Sequence, residues 1–197
     1  MLMRQPIAFR GFTLVELMVT VAVLGIILML GMPNMSAWLQ NTQIRTSAEA
    51  FASGLQLART EALRRNRVVQ FNFVSTMDAT CSVSTTGSNW VVSLADPTGA
   101  CQEVPSDTAP PQIIQKRNGQ DGTPNAAITS TLASLSFNGL GSANGAMQII
   151  VRNPIGGDCQ PPLGAGPMRC LQLNVSSSGS VRMCDPAVSD ATDPRKC

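Results

Sequence analysis

One carboxylate, Glu16, is the only charge in an otherwise apolar run from Phe12 to Met32, and this run constrains the chain more than any other feature. As a helix it reaches about 30 Å, one hydrocarbon core thick. A charge inside such a segment costs a few kcal/mol unless it finds a partner. Arg4 and Arg10 precede the run, and the positive-inside tendency keeps them cytoplasmic while the remainder faces the other side. The pattern predicts a single pass of the inner membrane, followed by a water-soluble part.

A secretory signal would have a shorter apolar core with its cleavage site after that core. Here Gly11 stands before the run. The segment GFTLVELMVTVAVLGIILMLGMP closely resembles the leader and first helix of type IV pilins and type II secretion pseudopilins. The resemblance implies that a prepilin peptidase cuts between Gly11 and Phe12, that the new Phe12 amine is methylated, and that Glu16 becomes the fifth mature residue. Amine and carboxylate then lie at one membrane depth. Glu16 is expected to pair with the Phe12 amine of an adjacent subunit, because burying either charge alone is costly. Loss of the leader also removes both arginines, lowering the formal net charge from +2 to zero.

Three segments follow: a leader (1–11), an anchoring and assembly helix (12–33) and a periplasmic head (34–197). Proline lacks an amide hydrogen and crowds the preceding turn, so Pro33 is expected to end or kink the first helical segment. The resemblance implies that the stretch from Gly25 to Pro33 can melt on polymerisation. Beyond it Ile44, Ala48, Phe51, Leu55, Ala58 and Ala62 recur at steps of three and four, one apolar face of an amphipathic helix over 34–66. Gln43, Arg45, Glu49, Gln56 and Arg59 lie opposite. Basic residues favour a helix C-terminus, which places the end near Arg64, Arg65 and Asn66.

Residues 68–197 read as sheet. Val69, Phe71 and Phe73 alternate with Gln70 and Asn72, a half-buried strand. Further strands are expected at 90–94, 113–116, 132–137, 147–152, 170–175 and 180–183, separated by turns such as Asn118-Gly119 and Asn138-Gly139. Strands following one helix, with no helical pattern between them, predict an α+β fold with an antiparallel sheet head. The resemblance makes this the type IV pilin fold.

Six cysteines (Cys81, Cys101, Cys159, Cys170, Cys184 and Cys197) all lie beyond the apolar run, as suits disulfides in an oxidising periplasm. Their spacing leaves the pairing open. The sequential set is favoured, because each bridge would close a loop without apolar periodicity. The last would also tie down the tail. A zinc site would need C-x-x-C pairs or histidines, and the chain has neither. The absence of histidine also excludes Ser-His-Asp and Cys-His arrangements. No G-x-x-x-x-G-K phosphate loop is present. Neither an enzyme nor a bound cofactor or metal is expected.

LQLARTEALRRNRVVQFNF, Leu55 to Phe73, resembles the helix-to-strand passage of the GspH/FimT family of minor pilins and pseudopilins. GSVRMCDPAVSDATDPRKC looks like the tails of its FimU and FimT members. The resemblance implies partners among other pilins, in a filament or its tip complex. It leaves three roles: a FimU-like minor pilin of a type IV pilus, a GspH-like pseudopilin of type II secretion, and a FimT-like DNA-binding pilin. For nucleic acid the candidates are Arg182, Arg195 and Lys196. The DNA-binding pilins carry G-R-x-R where this chain has Gly179-Ser180-Val181-Arg182, so one arginine of the pair is missing. Arg64, Arg65 and Arg67 form a second cluster, which helix-end complementarity also explains.

Overall fold

The computed structural model describes the backbone of residues 11–197 and the side chains of 11–29 and 35–197. The leader expected over 1–11, with Arg4 and Arg10, falls outside these residues except for Gly11. Among the described residues one helix, α1 (Leu14–Arg65), precedes nine strands. The chain divides into two compact units, Met1–Ser36 and Ala37–Cys197.

In the first unit the described residues from Gly11 to Met29 are exposed on every face. The backbone stays helical through Gly25 and Pro33, so of the two outcomes expected at Pro33, an end or a kink, the end does not occur. The ring deletes one main-chain hydrogen bond, while intact turns on both sides keep the cooperative helix propagated. Among the described residues no helix is long and apolar enough to cross a membrane. The expected span reaches Met32, and so lies partly outside the described side chains.

In the second unit Ile44, Ala48, Phe51, Leu55, Ala58 and Ala62 are all at most 1% exposed, a single buried stripe. A left-handed residue ends the helix, Asn66 at φ 47°. The Asn66 amide donates to the Leu63 carbonyl (3.3 Å) and the Arg67 amide to that of Ala62 (3.2 Å). This pair of bonds is a Schellman closure, which satisfies carbonyls the helix end would leave open.

The strands are β1 (Val69–Val74), β2 (Thr86–Gly87), β3 (Asn89–Ser93), β4 (Ile113–Arg117), β5 (Ala127–Ser130), β6 (Ser134–Phe137), β7 (Met147–Arg152), β8 (Leu171–Val175) and β9 (Val181–Cys184). They form two antiparallel sheets, in the orders β4-β3-β1-β6 and β2-β5-β7-β8-β9. Strands β2 and β5 lie outside the expected strand ranges, and Ile128 in β5 is the one large apolar side chain between them. The helix stripe packs on both sheets in one core, against Phe71, Phe73, Leu135 and Phe137 from the first and Ile149 and Leu173 from the second.

Strand β1 departs from the half-buried pattern. Its second face is covered as well, with Asn72 1% and Val74 0% exposed. Val74 packs with Val91, Ile113 and the Cys81–Cys101 bridge in a second small core. Buried Asn72 is satisfied there: its Oδ1 accepts from the Ser134 hydroxyl (2.6 Å) and its Nδ2 donates to Ser93 Oγ (3.3 Å). Such pairing removes the cost that an unpartnered buried amide would carry.

Three disulfides join Cys81 to Cys101, Cys159 to Cys170 and Cys184 to Cys197, with Cα–Cα distances of 6.1, 5.4 and 5.1 Å. Five of the six cysteines are buried. The bridges are therefore part of the packing, and more than clasps on outward loops.

Candidate processing and assembly site

Gly11 and Phe12 precede α1, and Phe12 is 83% exposed. Thr13 takes the N-cap position. The Thr13 amide donates to Glu16 Oε2 (3.2 Å), the Thr13 hydroxyl donates to the same oxygen (3.3 Å), and the Glu16 amide donates to Thr13 Oγ1 (3.2 Å). This reciprocal arrangement is a capping box. Both carboxylate bonds use Oε2, and Oε1 accepts none among the described residues. Glu16 thus has a local structural role alongside any role between subunits. The T-x-x-E spacing carried that signal.

A helix apolar on all faces has no stable exposed form in water; it requires lipid or neighbouring helices. Leu14, Val15, Leu17, Met18, Val19, Val21 and the apolar residues on to Met29 all present such a surface. A Cβ at Gly25 would meet nothing within 4 Å, so no contact within the chain demands glycine there.

The nucleic-acid candidates gather at the tail but are committed to it. Arg182 Nη2 donates to the carbonyls of Pro194 (3.1 Å) and Lys196 (2.8 Å), clamping the tail beside β9. Arg195 pairs with Asp193 at 2.6 Å, and Lys196 Nζ donates to the Ser189 carbonyl (3.3 Å). The Arg195 hydrogen bonds hold the Asp193 carboxyl down at about 2. At the helix end Arg64 and Arg65 bond Glu61 at 2.6 and 2.7 Å, and Arg65 also reaches Asp107 at 2.7 Å. The Arg64 hydrogen bond, aided by Arg65 and opposed by partial burial, lowers the Glu61 carboxyl from its ordinary value. Of that cluster only Arg67 has no acidic partner among the described residues.

Polar residues near the start of the head segment of α1 hold loops. Gln43 Oε1 accepts from the Asn125 amide (3.2 Å), Gln40 Oε1 from Asn153 Nδ2, and Asn41 Oδ1 from the Arg169 amide (3.0 Å). Gln43, expected opposite the buried face, is half-buried in this role. Beside them a groove of about 470 Å3 opens between Trp38, Asn41, Thr42 and Arg45 on α1 and Arg169, Leu171, Met183 to Asp185 and Arg195. Among the described residues no group of three or more His, Cys, Asp or Glu could hold a metal ion.

The model of the prokaryotic N-terminal methylation motif matches residues 8–32, which include Gly11, Phe12 and Glu16. The family model described as type II transport protein GspH matches residues 47–186, most of the chain. The chain belongs to the GspH family. No curated protein matches it. Solved structures with similarity to it include the type IV minor pilin FimU of Pseudomonas aeruginosa PAO1, at 13% identity and a TM-score of 0.48, covering 74% of this chain and 91% of that one. The minor pseudopilin EpsH of the type 2 secretion system of Vibrio cholerae is 12% identical with a TM-score of 0.45, covering 74% and 99%. E. coli GspH is 16% identical with a TM-score of 0.40, covering 78% and 94%. The family is one of structural pilins, and the head itself is α+β, one helix packed on two antiparallel sheets. Family and methylation motif together imply a membrane-anchored periplasmic pilin, processed by prepilin peptidase and assembled with other pilins.

Proposed function

We propose that the chain is a minor pilin of a type IV pilus that helps initiate assembly at or near the tip. In this reading residues 1–11 are a leader cut between Gly11 and Phe12, 12–33 are the anchor and later the packing helix, and 34–197 are the periplasmic head. The supporting observation is the exposed apolar surface from Phe12 to Met29, headed by a capped carboxylate with one oxygen to spare. Such a surface suits lipid first and sister helices afterwards. Glu16 Oε1 then accepts the methylated Phe12 amine of a neighbour while Oε2 keeps the cap. Gly25 and Pro33 are where the helix would loosen on entering a filament, since each weakens a helix interior. Three bridges and the clamped tail give a head suited to the outside of a cell. Purified filaments test the proposal: the chain is expected at low stoichiometry, without its first eleven residues, and cross-linked to other minor pilins. Its absence from filaments and tip complexes would refute it.

The type II secretion reading is favoured by the description of the matching family. Deletion separates the two: loss of pili with secretion intact supports the pilus, and the reverse supports the secretion machine. The DNA-binding reading is disfavoured by the local commitments of Arg182, Arg195 and Lys196.

A further inference from the structure

The groove beside Trp38 brings together an exposed tryptophan, basic groups and an apolar floor. Trp38 is 62% exposed, whereas Trp90 is 2% exposed in the core. Arg45, Arg169 and Arg195 rim the groove, and Leu171 and Met183 contribute apolar surface. Each arginine has a carboxylate partner: Arg45 Nε bonds Glu49 (2.9 Å), Arg169 Nε bonds Asp185 (2.5 Å), and Arg195 bonds Asp193 through Nε and Nη2. A guanidinium has five N–H donors. Arg45 and Arg169 each spend only Nε, leaving their terminal N–H groups without protein acceptors among the described residues.

We propose that this groove seats the phosphate of a phospholipid headgroup while the subunit waits in the membrane before assembly. The inference rests on the anchored reading above. Trp38 lies five residues beyond Pro33, and five residues of chain span at most about 18 Å. Covalent connection alone therefore keeps Trp38 within about 18 Å of Pro33. Tryptophan prefers the membrane interface, where its ring meets both apolar and polar surroundings. Arginine forks match phosphate oxygens bidentately. Leu171 and Met183 would take the glycerol and first acyl carbons. Entry into a filament would withdraw the groove from the bilayer, so headgroup release would accompany assembly.

The test uses the full chain reconstituted in phosphatidylcholine vesicles with or without phosphatidylglycerol, the acyl chains brominated near the carbonyl. Quenching by bromine reports on Trp38, and Trp38→Phe gives the background from Trp90. The expected result is strong Trp38 quenching in vesicles with phosphatidylglycerol. It should fall by about half or more in Arg45→Gln/Arg169→Gln, and by less in Arg45→Lys/Arg169→Lys, which keep the charges and a partner for Asp185 but lose the fork. Inorganic phosphate added to the detergent-solubilised chain should leave Trp38 emission unchanged. Equal perturbation by phosphate alone would overturn the lipid assignment. So would quenching that ignores both the arginines and the anionic lipid, or no quenching in a chain that floats with the vesicles. Failure to float would refute the anchored reading itself.

Discussion

Thr13 and Glu16 bond one another in both directions, each main-chain amide donating to the other's side chain at 3.2 Å. The carboxylate proposed to pair between subunits therefore also fixes the first turn of its own helix. Substitutions separate the two roles. Thr13→Ala removes the cap but leaves the charge, so it should fray the first turn with filament incorporation largely kept. In the proposed pairing Glu16→Ala would strand the neighbour's amine, which should cost about 3 kcal/mol and lower incorporation about a hundredfold. Glu16→Gln can still cap but cannot form the ion pair, so it should follow Ala in assembly and wild type in helicity. Quantitative blots of sheared filaments and circular dichroism provide the measurements.

A Cβ on Gly54 would lie 2.9 Å from Phe71 Cε2 and 3.0 Å from Trp90 Cη2. These rings stack with centroids 5.5 Å apart in the helix–sheet contact. Alanine gains about 1 kcal/mol of helix propensity over glycine, and overpacking costs about 1–3 kcal/mol. Gly54→Ala should therefore destabilise the head by about 1 kcal/mol, and Gly54→Val by more. Thermal unfolding followed by near-ultraviolet dichroism reads both. An unchanged or higher Tm would contradict the contact.

Replacing both Cys184 and Cys197 by serine frees a tail whose bridge spans a sequence separation of 13. The chain-entropy model assigns such a loop about 3 kcal/mol. Arg182 still holds the Pro194 and Lys196 carbonyls, so the loss should be smaller than in a triple variant with Arg182→Ala. Denaturant midpoints distinguish the two, with amide exchange at Asp185 and Lys196 reporting local release.

Acid should loosen the helix end and the tail. Glu61 and Asp193 both have lowered values in the folded chain, through Arg64 and Arg195 respectively. A depressed carboxylate stabilises fully above its unfolded value and loses that contribution as pH falls through the folded one. For Asp193 the window runs from 3.8 down to about 2. For Glu61 the loss begins below its ordinary 4.5. Tm should be flat above these values and decline below them, less steeply in Arg64→Gln and Arg195→Gln. Solvent screens the exposed arginine partners, Arg64 and Arg195, so the decline should be shallow.

Arg182→Ala should not change DNA retardation in a gel shift at physiological salt, because its Nη2 is held by tail carbonyls and Ser180 stands where a second arginine would be needed. Strong, salt-sensitive retardation abolished by this substitution would reverse the assignment, since phosphate neutralisation is the main source of such binding.

Local pattern carried a large part of the fold. The steps of three and four from Ile44 to Ala62 are one buried stripe because 3.6-residue periodicity puts those side chains on one face. The apolar alternation in β1 and β7 likewise marked real strands. Strands β2 and β5 were not legible, since two residues and four, with Ile128 the one large apolar side chain, are too few for a periodic signal. The glutamate at 16 drew attention from its charge, and its bond to Thr13 was also written in T-x-x-E spacing.

By itself, the sequence determined the apolar head of the helix, the amphipathic stripe behind it and the family to which the chain belongs. These depend on neighbours a few residues apart. Only tertiary structure decided that the strands divide into two sheets, that Asn72 is buried between two serines, and that Arg182 clamps the tail. Each depends on which distant segment covers a surface, and that is set by packing of the whole head rather than by local order.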